Sequence, residues 1–483
     1  MRSIVNLPAA RFVPRLVLVC LLIMVLTSAA MSQGFGGFRG GRGRGGRGGR
    51  GNFGGGGGGG YGGGYGSAVG GVLVGTDGIL QNATQDDTGR LQKMMEEILQ
   101  TTPADMKTFT PMRKISLRKL EATLKELKES GKQIPHDIYF LSGLQQIQYV
   151  FVCPEQKDII LAGPAEGWKI GKNGIVVGQT TGRPVMTIDD LLVALRTAKD
   201  AQRQAISCSI DPRPEGYVKL QQYFNTKSTM GNPEVTIANV EKALGPQKIT
   251  VTGVPATSHF ARVLVAADFQ MKRIAMGFEP SPVRGLPNYL NMLKVSGMNN
   301  SSVMPRWWLE PRYESVIRSP DGLAWELNGA SVKAMTDQDF FKANGSKENI
   351  GKPNPVAQRW ADLMTKKFDK LAIADPIFGE LRNCMELAVA ASLIVREDLP
   401  QRAGCDMSML MSPKEIEVDV FDAPKQVDTQ ANFVKRGRNY IISASGGVQI
   451  NTPALLKDIK TSENLAKVRT KAEKTETKNW WWN

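Results

Sequence analysis

Histidine is almost missing from this chain: its 483 residues include only His136 and His259. There are five cysteines and no CxxC pair among them, which argues against zinc held by the usual Cys/His sets. No Walker-type phosphate loop, GxSxG frame or complete SxxK/SDN/KTG set is present, so no cofactor and no metal is indicated. Membrane-length apolar runs are also lacking. The stretch Leu16 to Leu26 holds 11 continuous apolar residues, short of the roughly 20 that a spanning helix needs. The nearly all-apolar stretch Leu387 to Val395 is shorter still and reads as a buried helix, so no transmembrane helix is expected in a mature chain. Finally, residues 33 to 66 contain no acid at all.

What is present is distributed unevenly. The formal net charge is +15. Arg2, Arg11 and Arg15 supply +3, Arg39, Arg42, Arg44, Arg47 and Arg50 supply +5, and residues 457–483 add +3, which leaves +4 for the folded body. A body that wraps nucleic acid is therefore not indicated. Three arginines, the apolar run and the small residues of TSAAMS together read as a cleaved secretory signal over residues 1–32, with Gln33 as the new N-terminus. A periplasmic, cell-surface or extracellular location follows as the expectation.

Of the 51 glycines, 22 fall in residues 33–67, interspersed with arginine, phenylalanine and tyrosine. Such a tract buries too little apolar surface to offset its backbone entropy, so a disordered arm is expected. It reads either as a flexible spacer or, through Arg39, Arg42, Arg44, Arg47 and Arg50, as a binder of anionic envelope lipid or polysaccharide. Its RGG pattern looks like the RGG boxes of RNA-binding proteins, a role that requires the export signal to be unused. Removal of Cys20 with the signal leaves Cys153, Cys208, Cys384 and Cys405. Export would permit two disulfides among them, in three connectivities, and buried free thiols fit the pattern equally well.

The body reads as two α+β regions, 68–300 and 301–456, either separate or continuous, followed by a basic tail, 457–483, ending in Trp480, Trp481 and Trp482. GGVLVGTDGIL suggests a short strand, and Leu91 to Leu99 an amphipathic helix. Ser116 caps a helix rather than serving as the nucleophile of an SxxK pair with Lys119. Period-two segments from Gln145 to Gly178 suggest an antiparallel meander, and Thr187 a helix N-cap. Further strands are expected at 205–211, 248–254, in EIEVDVFD and in NYIISASGGVQI, with Ser445-Gly446-Gly447 as a turn or bulge. Ser319-Pro320-Asp321-Gly322 signals a hairpin. Trp307, Trp308, Tyr313 and Trp325 beside it suit cross-strand packing, or a carbohydrate or peptide platform. The tail tryptophans suit either an anionic membrane surface or docking on the body.

The best-specified element is SHFARVLVAADFQMKRIAMG, residues 258–277. Apolar residues recur at helical spacing, Ser258 is an N-cap and Gly277 a C′ residue. Its apolar face is expected on the meander, with Arg262, Gln270 and Arg273 outward and Asp268–Lys272 on an exposed face. His259 is read as helix-start packing, because no third group is placed to orient it as a base. Helices are also expected from about Val356 to Ala372 and onward from Pro376, the second capped by Asp375. The fold class is α+β: antiparallel sheets with packed helices, behind a disordered Gly/Arg-rich arm.

The segments HFARVLVAADFQMKRIAMGFE, WADLMTKKFDKLAIADPIFGELRNCMELAVAASLI and NYIISASGGVQI resemble a family of secreted planctomycete bacterial proteins carrying a domain of unknown function, over much of residues 70–456. The resemblance implies a bacterial envelope setting and supplies no site residues. Together these features point to an exported envelope protein of structural or binding type. The alternatives are an envelope hydrolase whose site is assembled from distant carboxylates, and an RGG-type RNA-binding protein.

Overall fold

The computed structural model describes residues 72–75, 77–82, 102–171, 174–226, 232–296, 304–328, 331–341, 347–349, 354–432, 434–436, 439–441, 445–473 and 479–483. The Gly/Arg tract, the signal segment, the 91–99 helix and Lys172-Asn173 lie outside them. Among the described residues the fold is α+β, with mostly antiparallel sheets.

The larger sheet has nine strands. In spatial order they are Val72–Val74, Ile79–Asn82, Gln426–Val427, Gln247–Thr252, Ile206–Asp211, Ser445–Ile450, Met304–Arg312, Ser331–Phe341 and Lys347–Asn349. Two of its pairings are parallel, Ile79–Asn82 with Gln426–Val427 and Met304–Arg312 with Ser445–Ile450. Strands from both sides of residue 300 therefore share one sheet.

The strand expected in NYIISASGGVQI is present as Ser445–Ile450, and Ser445-Gly446-Gly447, expected as a turn or bulge, is part of this interior strand. The reason is space. A Cβ at Gly446 would lie 2.1 Å from the Trp307 carbonyl oxygen, and one at Gly447 would lie 2.2 Å from that of Cys208. Glycine lets three backbones approach where any side chain would force them apart.

The second sheet has seven strands: Ile459–Thr461, Ser315–Arg318, Ala324–Asn328, Tyr149–Cys153, Asp158–Ala165, Thr110–Ser116 and Trp481–Trp482. Its strands show what a period of two means when both faces are covered. Val150, Val152, Ile159 and Leu161 join the main core, while Phe151, Cys153, Ile160 and Ala162 form a second core with Leu465, Ala472 and Trp482. The lysine-rich tail thus supplies a lid, the helix Glu463–Glu473, and an edge strand. Trp481 pairs with Ile115 and Trp482 with Lys114, and the Arg113 guanidinium stacks 4.9 Å from the Trp481 ring centroid. Of the two readings of the tail, docking is the one observed. The expected meander is divided: Tyr149–Cys153 and Asp158–Ala165 belong to this sheet, whereas Trp168–Ile170 and Val176–Gly178 form a separate ribbon.

Four helices lie at the centre: α1 (Ile188–Ala201), α2 (His259–Met276), α3 (Pro355–Ala374) and α4 (Pro376–Arg396). Both expected caps of α2 form. Ser258 Oγ accepts from the Ala261 N–H at 3.1 Å, and Gly277 adopts φ 72°. The surroundings of α2 differ from expectation. It lies on Ile206–Asp211 and Ser445–Ile450 of the larger sheet, and not on the meander, because α4 and α1 pack on it from the other side. Arg262, Asp268, Lys272 and Arg273 are consequently buried. Asp268 and Lys272 form a 2.8 Å ion pair inside the core, where a pair facing solvent was expected. Asp375 precedes α4 without capping it through its side chain; its carboxylate accepts from Gln270 Nε2 at 2.9 Å.

The aromatic group beside the hairpin is packing and not a platform at two of its members. Trp307 and Trp325 are fully buried, Trp307 lying between Tyr289 at 4.8 Å and Trp360 at 4.9 Å.

Candidate functional site

The N-terminal turns of three helices bring one histidine and several carboxylates together. Ser258 occupies the cap position of α2, so His259 projects from its first turn. Thr187 caps α1 through its side chain. Its hydroxyl accepts from the Asp190 N–H at 3.3 Å and donates to Asp190 Oδ2 at 3.0 Å, which fixes the Asp190 carboxylate. Pro376 at the start of α4 sets the helix on which Glu380 follows. The α4 helix packs against both α1 and α2, and the three side chains meet.

His259 Nδ1 lies 3.0 Å from Asp190 Oδ2 and 3.2 Å from Oδ1, and its Nε2 lies 3.9 Å from Glu380 Oε1. The imidazole keeps 21% of its side-chain exposure and the Asp190 carboxylate 7%, so the pair sits at the edge of the core. Burial alone would depress the imidazole. The Asp190 charge and hydrogen bond, with Glu380 and Asp189 behind them, outweigh burial and raise it to about 9. Burial pushes Glu380 up to about 7 against the pull of His259, and Asp189 up to about 6 against the Asp419 N–H that its carboxylate accepts at 3.1 Å. Tyr139, hydrogen-bonded to Asp189, is raised by burial and by these charges. At neutral pH the centre is an imidazolium between carboxyl groups.

An irregular strap covers this centre. EIEVDVFD, expected as a strand, has its backbone groups engaged elsewhere. The Phe421 N–H donates to the Thr257 carbonyl at 2.8 Å, Arg196 donates to the Ile416 carbonyl at 2.9 Å, and Arg262 Nε donates to the Asp422 carbonyl at 2.9 Å. The Phe421 ring lies 6.0 Å from the imidazole.

The arrangement holds a proton more readily than it abstracts one. Both ring nitrogens face carboxylates, and the neighbouring Ser258 hydroxyl donates to the Pro255 carbonyl at 2.7 Å while capping α2. Among the described residues no group of three or more His, Cys, Asp or Glu side chains is placed to hold a metal ion. Ser116 is a cap as expected: its hydroxyl accepts from the Lys119 N–H at 3.0 Å and donates to the Asp158 carboxylate, while Lys119 Nζ lies over the Trp482 ring. Cys153, Cys208, Cys384 and Cys405 are all buried free thiols, with Cys405 pushed up to about 12 and the others raised by burial. Arg39, Arg42, Arg44, Arg47 and Arg50 lie outside the described residues. Sequence reasoning missed Asp190 and Glu380. The Thr187-x-x-Asp190 spacing announces the first, and no local pattern announces the second.

A family model described as "Protein of unknown function (DUF1598)" matches residues 208–289. The matched stretch contains α2 and His259, while Asp190 and Glu380 lie outside it. No curated protein and no solved structure matches the chain.

Proposed function

We propose that this chain is an exported protein of the bacterial cell envelope, of planctomycete origin, that acts by binding or as a structural component rather than by catalysis. The observation that carries the non-catalytic reading is the state of His259. Its two nitrogens face Asp190 and Glu380, and those charges keep the ring protonated at neutral pH, so it joins helices instead of serving as a free base. The signal-like residues 1–32 and the acid-free tract 33–66 support the export and the contact with anionic envelope material.

N-terminal sequencing of the mature protein tests export, with Gln33 as the expected first residue; an intact Met1 in the cytosol would overturn it. Deletion of residues 33–66 tests the arm. Retention on envelope fractions should fall, and retention of the full chain should weaken as salt rises. Salt-independent retention in both proteins would remove the arm from the function.

One observation favours a hydrolase as the second reading: Glu380, raised to about 7, lies next to a partly exposed cation and could deliver a proton. Glu380→Gln distinguishes the two. It would abolish a hydrolytic activity on envelope polysaccharide or peptide, and would leave retention unchanged if the binding reading holds.

A further inference from the structure

The register of the larger sheet sorts its side chains onto two faces. Residues paired across neighbouring strands share a face, and residues next to each other along a strand do not. Cys208, Val448 and Leu309 form one such row and are buried, as are Ile210 and Trp307 in the row beside it, against α2 and α3. The opposite face is open to solvent among the described residues. Its central row runs Thr250, Ser209, Gly447, Trp308 and Met335 across five strands. Thr250 is exposed there, and Ser209, Trp308 and Met335 are half-buried. In an adjoining row the hydroxyls of Thr252 and Ser207 lie 2.9 Å apart, and Gln449 stands exposed opposite Ser207.

Trp308 is held in position by its neighbours on this face. Its indole N–H donates to Glu310 Oε2 at 3.4 Å, Glu310 Oε1 pairs with Lys333 Nζ at 2.8 Å, and the Arg306 guanidinium lies 5.8 Å from the ring centroid. Next to it Gly447 presents no side chain, and a Cβ there would collide with the Cys208 carbonyl oxygen. Two strand spacings, about 10 Å, therefore separate the Trp308 backbone from that of Ser209 with a bare floor between them. The charges decide what such a surface takes. In the three central rows each cation stands opposite an acid: Lys248 opposite Asp211, Arg306 opposite Asp337 and Lys333 opposite Glu310. They cancel in place, so these rows present no net field to a nucleic acid, an anionic lipid or an acidic polymer. A folded protein would seat on an apolar centre, whereas this centre is glycine between a serine and an indole. An uncharged sugar chain meets both features. Its C–H faces stack on the indole, and its hydroxyls exchange hydrogen bonds with the Ser, Thr and Gln side chains around it.

We infer that the open face of the larger sheet, centred on Trp308 and Gly447, is a binding platform for a neutral polysaccharide. The platform shares no residue with the Gly/Arg tract or the His259 centre, and it stands whether or not the tract binds anionic material.

Affinity electrophoresis of the full-length chain through gels containing β-glucan, xyloglucan or galactomannan, with polygalacturonate as the acidic comparison, tests this. Retardation by at least one of the neutral polymers is expected, and it should be unchanged between low and high salt, whereas binding through the arginine tract weakens with salt. Trp308→Ala should lower the affinity about tenfold, as loss of a central aromatic anchor does. Gln449→Ala and Thr250→Ala, at exposed positions, should each weaken it about threefold, the scale of a neutral hydrogen bond, and they decide the matter should Trp308→Ala fail to fold. No retardation by any neutral polymer, equal retardation in all three variants, or retardation by polygalacturonate alone would each overturn the platform. Self-association of the parent chain that Trp308→Ala abolishes would also overturn it, because the face would then be a contact between copies.

Discussion

At the scale of single residues, the energetic weight falls on charges that the core encloses. His259→Gln removes the cation from between Asp190 and Glu380 and leaves their repulsion uncompensated. Breaking a buried ion pair on one side costs about 3–5 kcal/mol, and the partial exposure of His259 puts the expected loss at or below about 3 kcal/mol. Urea denaturation would measure it, and the added change Glu380→Gln should recover part of it. Unchanged stability in the single variant would show that the imidazolium contributes nothing. Gly446 is a second critical position. An added Cβ there meets backbone, the Trp307 carbonyl oxygen, so Gly446→Ala should destabilise by about 1–3 kcal/mol through forced separation of the two strands. A wild-type midpoint for that variant would contradict the close approach.

At the scale of elements, α2 and the C-terminal tail are both visible in sequence, whereas their surroundings are set by distant parts of the fold. The α2 caps are local chemistry, Ser258 to an N–H three residues on and Gly277 at positive φ, so they were legible. Which side of α2 meets solvent is not local. With a sheet on one side and α1 and α4 on the other, even Asp268 and Lys272 become interior. Val263→Asp or Met271→Asp places an unpaired charge in this core, and either is expected to abolish soluble folded protein; normal expression and melting of both would refute the placement. For the tail, Trp481→Ala removes an edge-strand side chain that Arg113 covers. It should cost about 3 kcal/mol, as large aromatic truncations in packed sites do, while binding to anionic vesicles stays as in the parent chain. Lost vesicle binding without lost stability would restore the membrane reading.

At the scale of the whole molecule, buried acids give stability a definite pH dependence. Asp189, Glu380, Glu386 and Asp268 have native values raised above those of the unfolded chain, and so does His259. Each group whose native value is raised binds its proton longer in the folded state. Its contribution is complete below the unfolded value and is lost as pH rises through the native one. For the acids that window runs from the ordinary carboxylate range up to about 8, and for His259 from its ordinary value up to about 9. His136, depressed by burial, opposes the trend, and so do the lowered carboxyls Glu166, Asp321, Asp406 and Glu415, whose contribution changes at or below the ordinary carboxylate range. The unfolding midpoint is therefore expected to fall steadily from pH 5 to pH 9, and His259→Gln should flatten the upper half of that curve. A midpoint that rises over this range would overturn the assignment.

The sequence alone determined what depends on neighbours along the chain. Helix caps at Ser116, Thr187 and Ser258, the hairpin at Ser319 to Gly322, the alternation in Tyr149–Cys153 and the α+β class all follow from hydrogen bonds and side-chain periods spanning a few residues. Only the tertiary structure decided that Ser445–Ile450 is an interior strand, that EIEVDVFD is a strap, and that the tryptophan tail closes a sheet edge. It also decided which charges are buried and which distant groups meet, as Asp190 and Glu380 do at His259. The physical reason is the same in each case. A side chain's solvent and its charge partners come from elements far along the chain, 69 positions for His259 and Asp190 and 199 for Asn383 and Pro184, and no spacing within one segment encodes that encounter.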